Sequence, residues 1–271
     1  MKNFLKSAAS LAATLAVSTS ANAFTIFADI HAFQGDWPYF SDQYDGFGLN
    51  ISADLPDTLW LDQIDVEVLR YDNKDRDDYD ISSNQLTFHF EVPVYSLETA
   101  GFVGVWTDEG YEGVSSDVYY FGGFSALLVS GTNFDLQGQA GVLKHQSGEY
   151  PSANPNLGFA TLTARYQASE AVSLYSKVSI YNSFGGFGDD LDERLKTRAA
   201  TLGVNVEVNE MFQVFAEYSA QAGGWNETSD YDTTSLSAGV KIALGAASAV
   251  GRPKWEPIDL TPISWVRLDG W

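Results

Sequence analysis

Between residues 199 and 221 the chain alternates with period two. Ala200, Leu202, Val204, Val206 and Val208 are apolar, and Thr201, Gly203, Asn205 and Glu207 fall between them. After Asn209-Glu210-Met211 the alternation resumes. Phe212, Val214, Ala216, Tyr218 and Ala220 take one face, and Gln213, Glu217, Ser219 and Gln221 take the other, with Phe215 interrupting the polar set. Period two sends successive side chains to opposite faces of an extended strand. The break predicts a hairpin that pairs Val208 with Phe212, Val206 with Val214 and Val204 with Ala216, so both apolar sets share one side. Such a sheet either buries that side against a second sheet or turns it to lipid as the wall of a membrane barrel.

The same two-faced pattern recurs from Phe24 to Leu244. It predicts an all-β chain of about twelve strands, with ten or fourteen as the alternatives. The strands are placed at 24–34, 45–55, 60–71, 84–97, 100–107, 117–130, 132–146, 157–168, 171–181, the two arms of 198–221, and 234–244. In the 117–146 hairpin Leu128 is expected opposite Phe134, Phe124 opposite Gly138 and Gly122 opposite Ala140. In the 157–181 hairpin Tyr166 is expected beside Val172 and Ala164 beside Leu174.

The connections alternate in length. Short ones fall near 56–57, 98–99, 131, 169–170 and 209–210. Longer polar ones fall at 35–44, 72–83, 108–116, 147–156, 182–197 and 222–233. A Greek-key sandwich does not sort its connections in this way. On these alternating strands and sorted connections, the chain resembles the Gram-negative outer-membrane β-barrel proteins over residues 24–245. The resemblance implies an up-and-down antiparallel transmembrane barrel, porin-like, with short periplasmic turns and longer external loops. No motif carries functional residues across from that class.

Three further features fit this compartment. Lys2 and Lys6, the apolar run 8–17 and Ala21-Asn22-Ala23 form a secretory leader, so residues 1–23 are expected to be cleaved, leaving Phe24 first. The chain has no cysteine, so an exported fold must hold without disulfides. Loss of the leader removes two lysines, leaving 13 basic residues against 36 acidic ones. That balance excludes nucleic acid as a partner. It suits a surface where divalent cations bridge acids on protein and lipopolysaccharide. Outer-membrane lipid, lipopolysaccharide and small hydrophilic solutes are the expected partners, and the expected state is a monomer.

Residues 246–271 depart from the pattern and form a C-terminal tail. Arg252, Lys254 and Arg267 make it locally basic, and Trp255, Trp265 and Trp271 give it apolar anchors. Pro253, Pro257 and Pro262 oppose a regular element through its middle. The tail is expected in the periplasm or packed in the lumen, its positive charges facing an acidic interior. An extra strand from Ile263 to Trp271 is the alternative.

The inward faces collect Asp29, His31, Asp65, Glu67, His89, Glu91, Asp135, Glu207 and Glu217, with Arg165, Lys177 and Lys241 as the bases. They either pair across a narrow barrel and stiffen it, or line an acidic constriction that prefers cations. Tyr119, Phe121, Tyr175 and Tyr181 are expected to point inward as well. No spacing forms a nucleophile–base pair, so no catalytic residue is assigned and the chain is expected not to be an enzyme. The acids of 72–80 lack the glycine and distal glutamate of a calcium loop. Gly185-Gly186-Phe187-Gly188 lacks the lysine of a phosphate loop. No metal and no cofactor is therefore expected. The pattern favours a narrow passive channel for small hydrophilic solutes, with a cation or neutral-solute preference. The first alternative is a structural or assembly anchor whose tail or loops bind another envelope component or an exported polysaccharide. A barrel-embedded hydrolase is the second, marked by His31 or His89 clustered with a serine and a carboxylate.

Overall fold

A computed structural model describes residues 25–36, 43–55, 60–73, 80–92, 94, 97–109, 117–147, 156–184, 195–225, 229–245 and 253–260. The leader, most of the longer connections and residues 261–271 lie outside the described residues, as do Arg252, Trp265, Arg267 and Trp271.

Twelve strands follow one another: β1 (Thr25–Asp36), β2 (Gln43–Asp54), β3 (Leu61–Asn73), β4 (Asp80–Glu91), β5 (Glu98–Glu109), β6 (Asp117–Ser130), β7 (Phe134–Ser147), β8 (Leu157–Ser169), β9 (Val172–Ser183), β10 (Leu195–Asn209), β11 (Phe212–Trp225) and β12 (Ser229–Gly245). Each pairs antiparallel with the next, and β1 pairs with β12 from Thr25↔Gly245 to Gly35↔Ser235, which closes the barrel. Closure gives each of the twelve strands a partner on both edges; the alternative strand from Ile263 to Trp271 lies outside the described residues. Gly245, at φ 132°, ends β12 in a conformation that side-chain-bearing residues rarely adopt, and the chain leaves the ladder there.

Burial decides between the two sheet architectures. The apolar set is the exposed one: Phe124 and Leu202 are each 64% exposed, and Val103, Val142, Val178 and Leu236 stand out with them. The alternate set faces inward, where Gln63, Thr87, His89 and Ser125 are fully buried. An apolar outside and a polar inside are the faces of a barrel in lipid.

The β10–β11 ladder pairs Val206 with Val214 and Val204 with Ala216, while a bulge between Glu207 and Asn209 pairs Asn209, in place of Val208, with Phe212. Two expected registers are shifted by two residues. Phe124 lies opposite Ala140 and Gly122 opposite Val142: the turn closes on Ser130↔Asp135, three residues out from the expected register, and the bulge between Leu127 and Val129 takes one residue back. Tyr166 lies opposite Leu174 and Ala164 opposite Ser176: the turn closes on Ser169↔Val172, three residues out from the expected register, and a bulge between Gln167 and Ser169 takes one residue back. A two-residue slip keeps every side chain on its face, so the inward set is unchanged. The fourth strand ends at Glu91, short of the expected Leu97, and Val94 and Leu97 form an isolated bridge within the turn. At the opposite end the strands run past the alternation, and the connection expected at 222–233 narrows to 226–228. Backbone pairing persists there after the contrast between lipid and lumen has faded from the side chains.

Candidate functional site

Residues 253–260 run along the inner face of the barrel, and the barrel supplies the hydrogen bonds that a strand neighbour would. At the end of the short turns, Asp54 accepts from the Lys254 backbone N–H at 3.1 Å, and Lys254 Nζ lies 3.4 Å from Asp62. Gln63 then behaves like a strand edge. Its Nε2 donates to the Trp255 carbonyl at 2.8 Å, and its Oε1 accepts from the Trp255 N–H at 2.7 Å. Gln139 donates to the Glu256 carbonyl at 2.6 Å, Gln85 to the Ile258 carbonyl at 2.7 Å, and the Tyr181 hydroxyl to the Asp259 carbonyl at 2.7 Å. An extended segment away from water needs such partners for each backbone group. Pro253 and Pro257 reduce the number of N–H groups to satisfy.

Apolar packing accompanies these bonds. Ile258 and Leu260 join Phe102, Trp106, Tyr119, Phe121, Leu143, Leu157, Phe159, Tyr181 and Leu195 in one buried cluster. Trp106 Nε1 donates to Ser83 at 2.6 Å, so its polar edge is paired. The segment and this cluster together occupy part of the lumen.

A cavity of about 270 Å³ remains beside the segment, walled mainly by β1, β2 and β9–β12. Seven of the expected lumen residues reach it: Asp29, His31, Glu67, Arg165, Lys177, Glu217 and Lys241. His31 Nδ1 lies 2.8 Å from Asp29 Oδ1, and Lys241 Nζ lies 4.0 Å from Asp29 Oδ2. The Tyr175 hydroxyl donates to Glu217, which also accepts from Ser237 Oγ at 3.2 Å. The Tyr175 ring lies between two cations, with Arg165 Cζ 5.6 Å and Lys241 Nζ 5.4 Å from its centroid. Gly203 makes that ring position accessible, since a Cβ there would sit 2.2 Å from Tyr175 Cζ.

The remaining expected residues lie elsewhere. Asp65 and His89 pair with each other at 2.8 Å, and Gln63 donates to the same carboxylate at 2.7 Å. This links the Trp255 backbone to His89 through two side chains. Asp135 faces Arg165 across the β7–β8 ladder, while Glu91 and Glu207 lie near the short turns, away from the cavity. Among the described residues, neither His31 nor His89 has a serine hydroxyl within hydrogen-bond reach, the mark of the hydrolase alternative.

The main departure from the sequence reading concerns the tail's charge. Lys254 faces Asp62 at the mouth, but deeper in the lumen the polarity reverses. Glu256 pairs with Arg165 and Asp259 with Lys177. The cavity wall then carries Asp29, Glu67, Glu217, Glu256 and Asp259 against Arg165, Lys177 and Lys241. Glu256, Asp259 and the clamping glutamines Gln63, Gln85 and Gln139 were not singled out from the sequence. The signal available was the conjunction of three inward glutamines with a proline-rich tail that contributes two carboxylates near its prolines.

No protein-family model matches the chain, and no curated protein matches it in sequence. Among solved structures it is similar to an outer-membrane channel from Pseudomonas putida F1, with a TM-score of 0.56 at 9% identity over 84% of this chain and 97% of that one. It is also similar to the NanC porin, with a TM-score of 0.53 at 10% identity over 79% of this chain and 100% of that one. The likeness at this identity is one of fold, and the fold is that of the Gram-negative outer-membrane β-barrels.

Proposed function

We propose that the chain is a narrow passive channel of the outer membrane for small hydrophilic solutes, with a preference for cations. The observation that carries this reading is the 270 Å³ cavity inside a closed barrel, with a mixed polar and apolar wall whose charged groups have carboxylates in excess. Fixed carboxylates in a confined lumen raise the local concentration of cations and oppose anions. Twelve strands lie between eight-stranded barrels, which side chains fill, and the larger porins, which keep an aqueous channel. The likeness to a channel and a porin supports the reading at the level of fold.

A second reading draws on the segment 253–260. It occupies part of the lumen, as suits a barrel whose role is to anchor or to assemble with another envelope component, an exported polysaccharide among them. Single-channel conductance separates the two. The mature chain 24–271 is refolded into planar bilayers beside a chain ending at Gly245. Discrete steps in the full chain support a channel with the tail in place, and steps only after truncation make the tail a plug. Silence in both, with folding verified by heat-modifiable gel mobility, would remove the channel reading in favour of the anchor.

A further inference from the structure

The charges around the cavity divide unevenly between barrel and tail. The barrel alone supplies Asp29, Glu67 and Glu217 against Arg165, Lys177 and Lys241, an even match. The acid excess comes wholly from the tail, through Glu256 and Asp259.

We propose that Glu256 and Asp259 set the charge selectivity of the lumen, by occupying in cis an anion-binding arc built from Arg165 and Lys177. The proposal rests on the channel reading above and specifies what governs its cation preference. The arc is contiguous. Arg165 pairs in register with Tyr175, and Lys177 with Thr163, so the two bases are diagonal neighbours on β8 and β9. Lys241 extends the arc across the Tyr175 ring, 5.4 Å from its centroid. Two adjacent cations beside an aromatic face suit a small carboxylate- or phosphate-bearing solute. In this structure the tail's own carboxylates take that place.

Backbone anchoring fixes those carboxylates where they act. The Glu256 carbonyl is held by Gln139 and the Asp259 carbonyl by Tyr181. Gln63 and Gln85 hold the carbonyls of Trp255 and Ile258. The segment therefore has attachments that do not depend on its ion pairs. Neutral amides at both positions are expected to leave it seated while removing its charge.

The test uses the full chain in planar bilayers under a potassium chloride gradient, with the zero-current potential as readout. The unmodified chain is expected to favour potassium. The double variant Glu256→Gln/Asp259→Asn is expected to keep discrete steps while its potassium-to-chloride permeability ratio falls several-fold toward unity. Arg165→Gln/Lys177→Gln is expected to move the ratio the opposite way. An anchoring role alone would alter stability and leave the potential where it was. An unchanged ratio in both variants overturns the proposal and leaves the channel reading intact. Silence of the full chain and both variants, with folded mobility preserved, also overturns it. The channel reading is then decided separately by the chain ending at Gly245.

Discussion

Two histidine–aspartate pairs of the same length lie in different parts of the lumen, one across β3 and β4 through Nε2 and one within β1 through Nδ1. His89 and Asp65 are 2.8 Å apart in the part packed by the tail, with side chains 0% and 2% exposed. His31 and Asp29 are also 2.8 Å apart, beside the cavity, with side chains 18% and 24% exposed. The chemistry is the same and the surroundings differ. In the packed part, desolvation makes each unpaired polar group costly, and the pair is part of a chain of bonds that reaches the tail backbone through Gln63. In the open part, water and neighbouring charges share the work, and the pair is one member of a wall that also holds Lys241. Mutations in the packed part are therefore expected to register mainly in stability, and mutations in the open part mainly in conduction.

The sharpest way to break this comparison is His89→Phe. Among the described residues His89 Nδ1 has no hydrogen-bond partner, so a phenyl ring loses nothing on that side. The cost comes from Asp65, which stays buried with its bond from Gln63 but loses the one to His89. Breaking a buried pair in this way is expected to lower stability by about 3–5 kcal/mol. Adding Asp65→Leu is expected to recover a large part of that loss, since an apolar replacement removes the stranded charge. Urea unfolding of the vesicle-inserted chain, followed by tryptophan fluorescence, measures both. A cost no greater than that of the matching change at His31 would undo the distinction between the two parts.

Two smaller effects sharpen it. Gly203→Val places side-chain atoms where the Tyr175 ring now sits. Tyr175 must swing away from Glu217, Arg165 and Lys241, and overpacking of this kind is expected to cost about 1–3 kcal/mol. Because the ring lies on the cavity side, the step size should change with it; unchanged conductance would count against Tyr175 as part of the wall. Gln85→Leu removes the donor to the Ile258 carbonyl and is expected to cost about 1–3 kcal/mol. Its signature is selective loosening of the tail, read as faster hydrogen exchange at residues 255–259 with the barrel strands unaffected. Uniform acceleration throughout the barrel would contradict the view that Gln85 serves the tail.

The barrel and its two faces were legible in the sequence because lipid and lumen impose opposite demands on alternate residues. Leu202 and Thr201, or Val178 and Lys177, carry that contrast individually. The registers of β6–β7 and β8–β9 were not legible, since each combines the point at which the turn closes, at Ser130↔Asp135 and Ser169↔Val172, with a bulge at Leu128 or Ala168, and the alternation places neither. The inward position of the charged set survived those errors because both slips were even. Which of these residues gather round the cavity depended on the segment 253–260. Its path follows from bonds between Gln63, Gln85, Gln139 and backbone atoms, and backbone acceptors look alike at every position of a sequence. The tail's tryptophans and bases drew attention, whereas Glu256 and Asp259 matter through bases contributed by β8 and β9.

The smallest expected effect on stability is the most informative about function. Asp29→Asn keeps an acceptor for His31 and removes one charge from a partly exposed site, so its stability cost is expected to stay below about 1 kcal/mol. Lys241, 4.0 Å from that carboxylate, then loses its neighbouring negative charge, while Glu217 remains engaged by Tyr175 and Ser237. The cavity wall gains net positive charge without any change of shape. A reduced potassium preference in the zero-current potential, with urea unfolding almost unaltered, is the expected pairing. The reverse pairing, a large loss of stability with unchanged selectivity, would mean that Asp29 acts like Asp65, as an internal brace of the barrel, and that the cavity beside it takes no part in conduction.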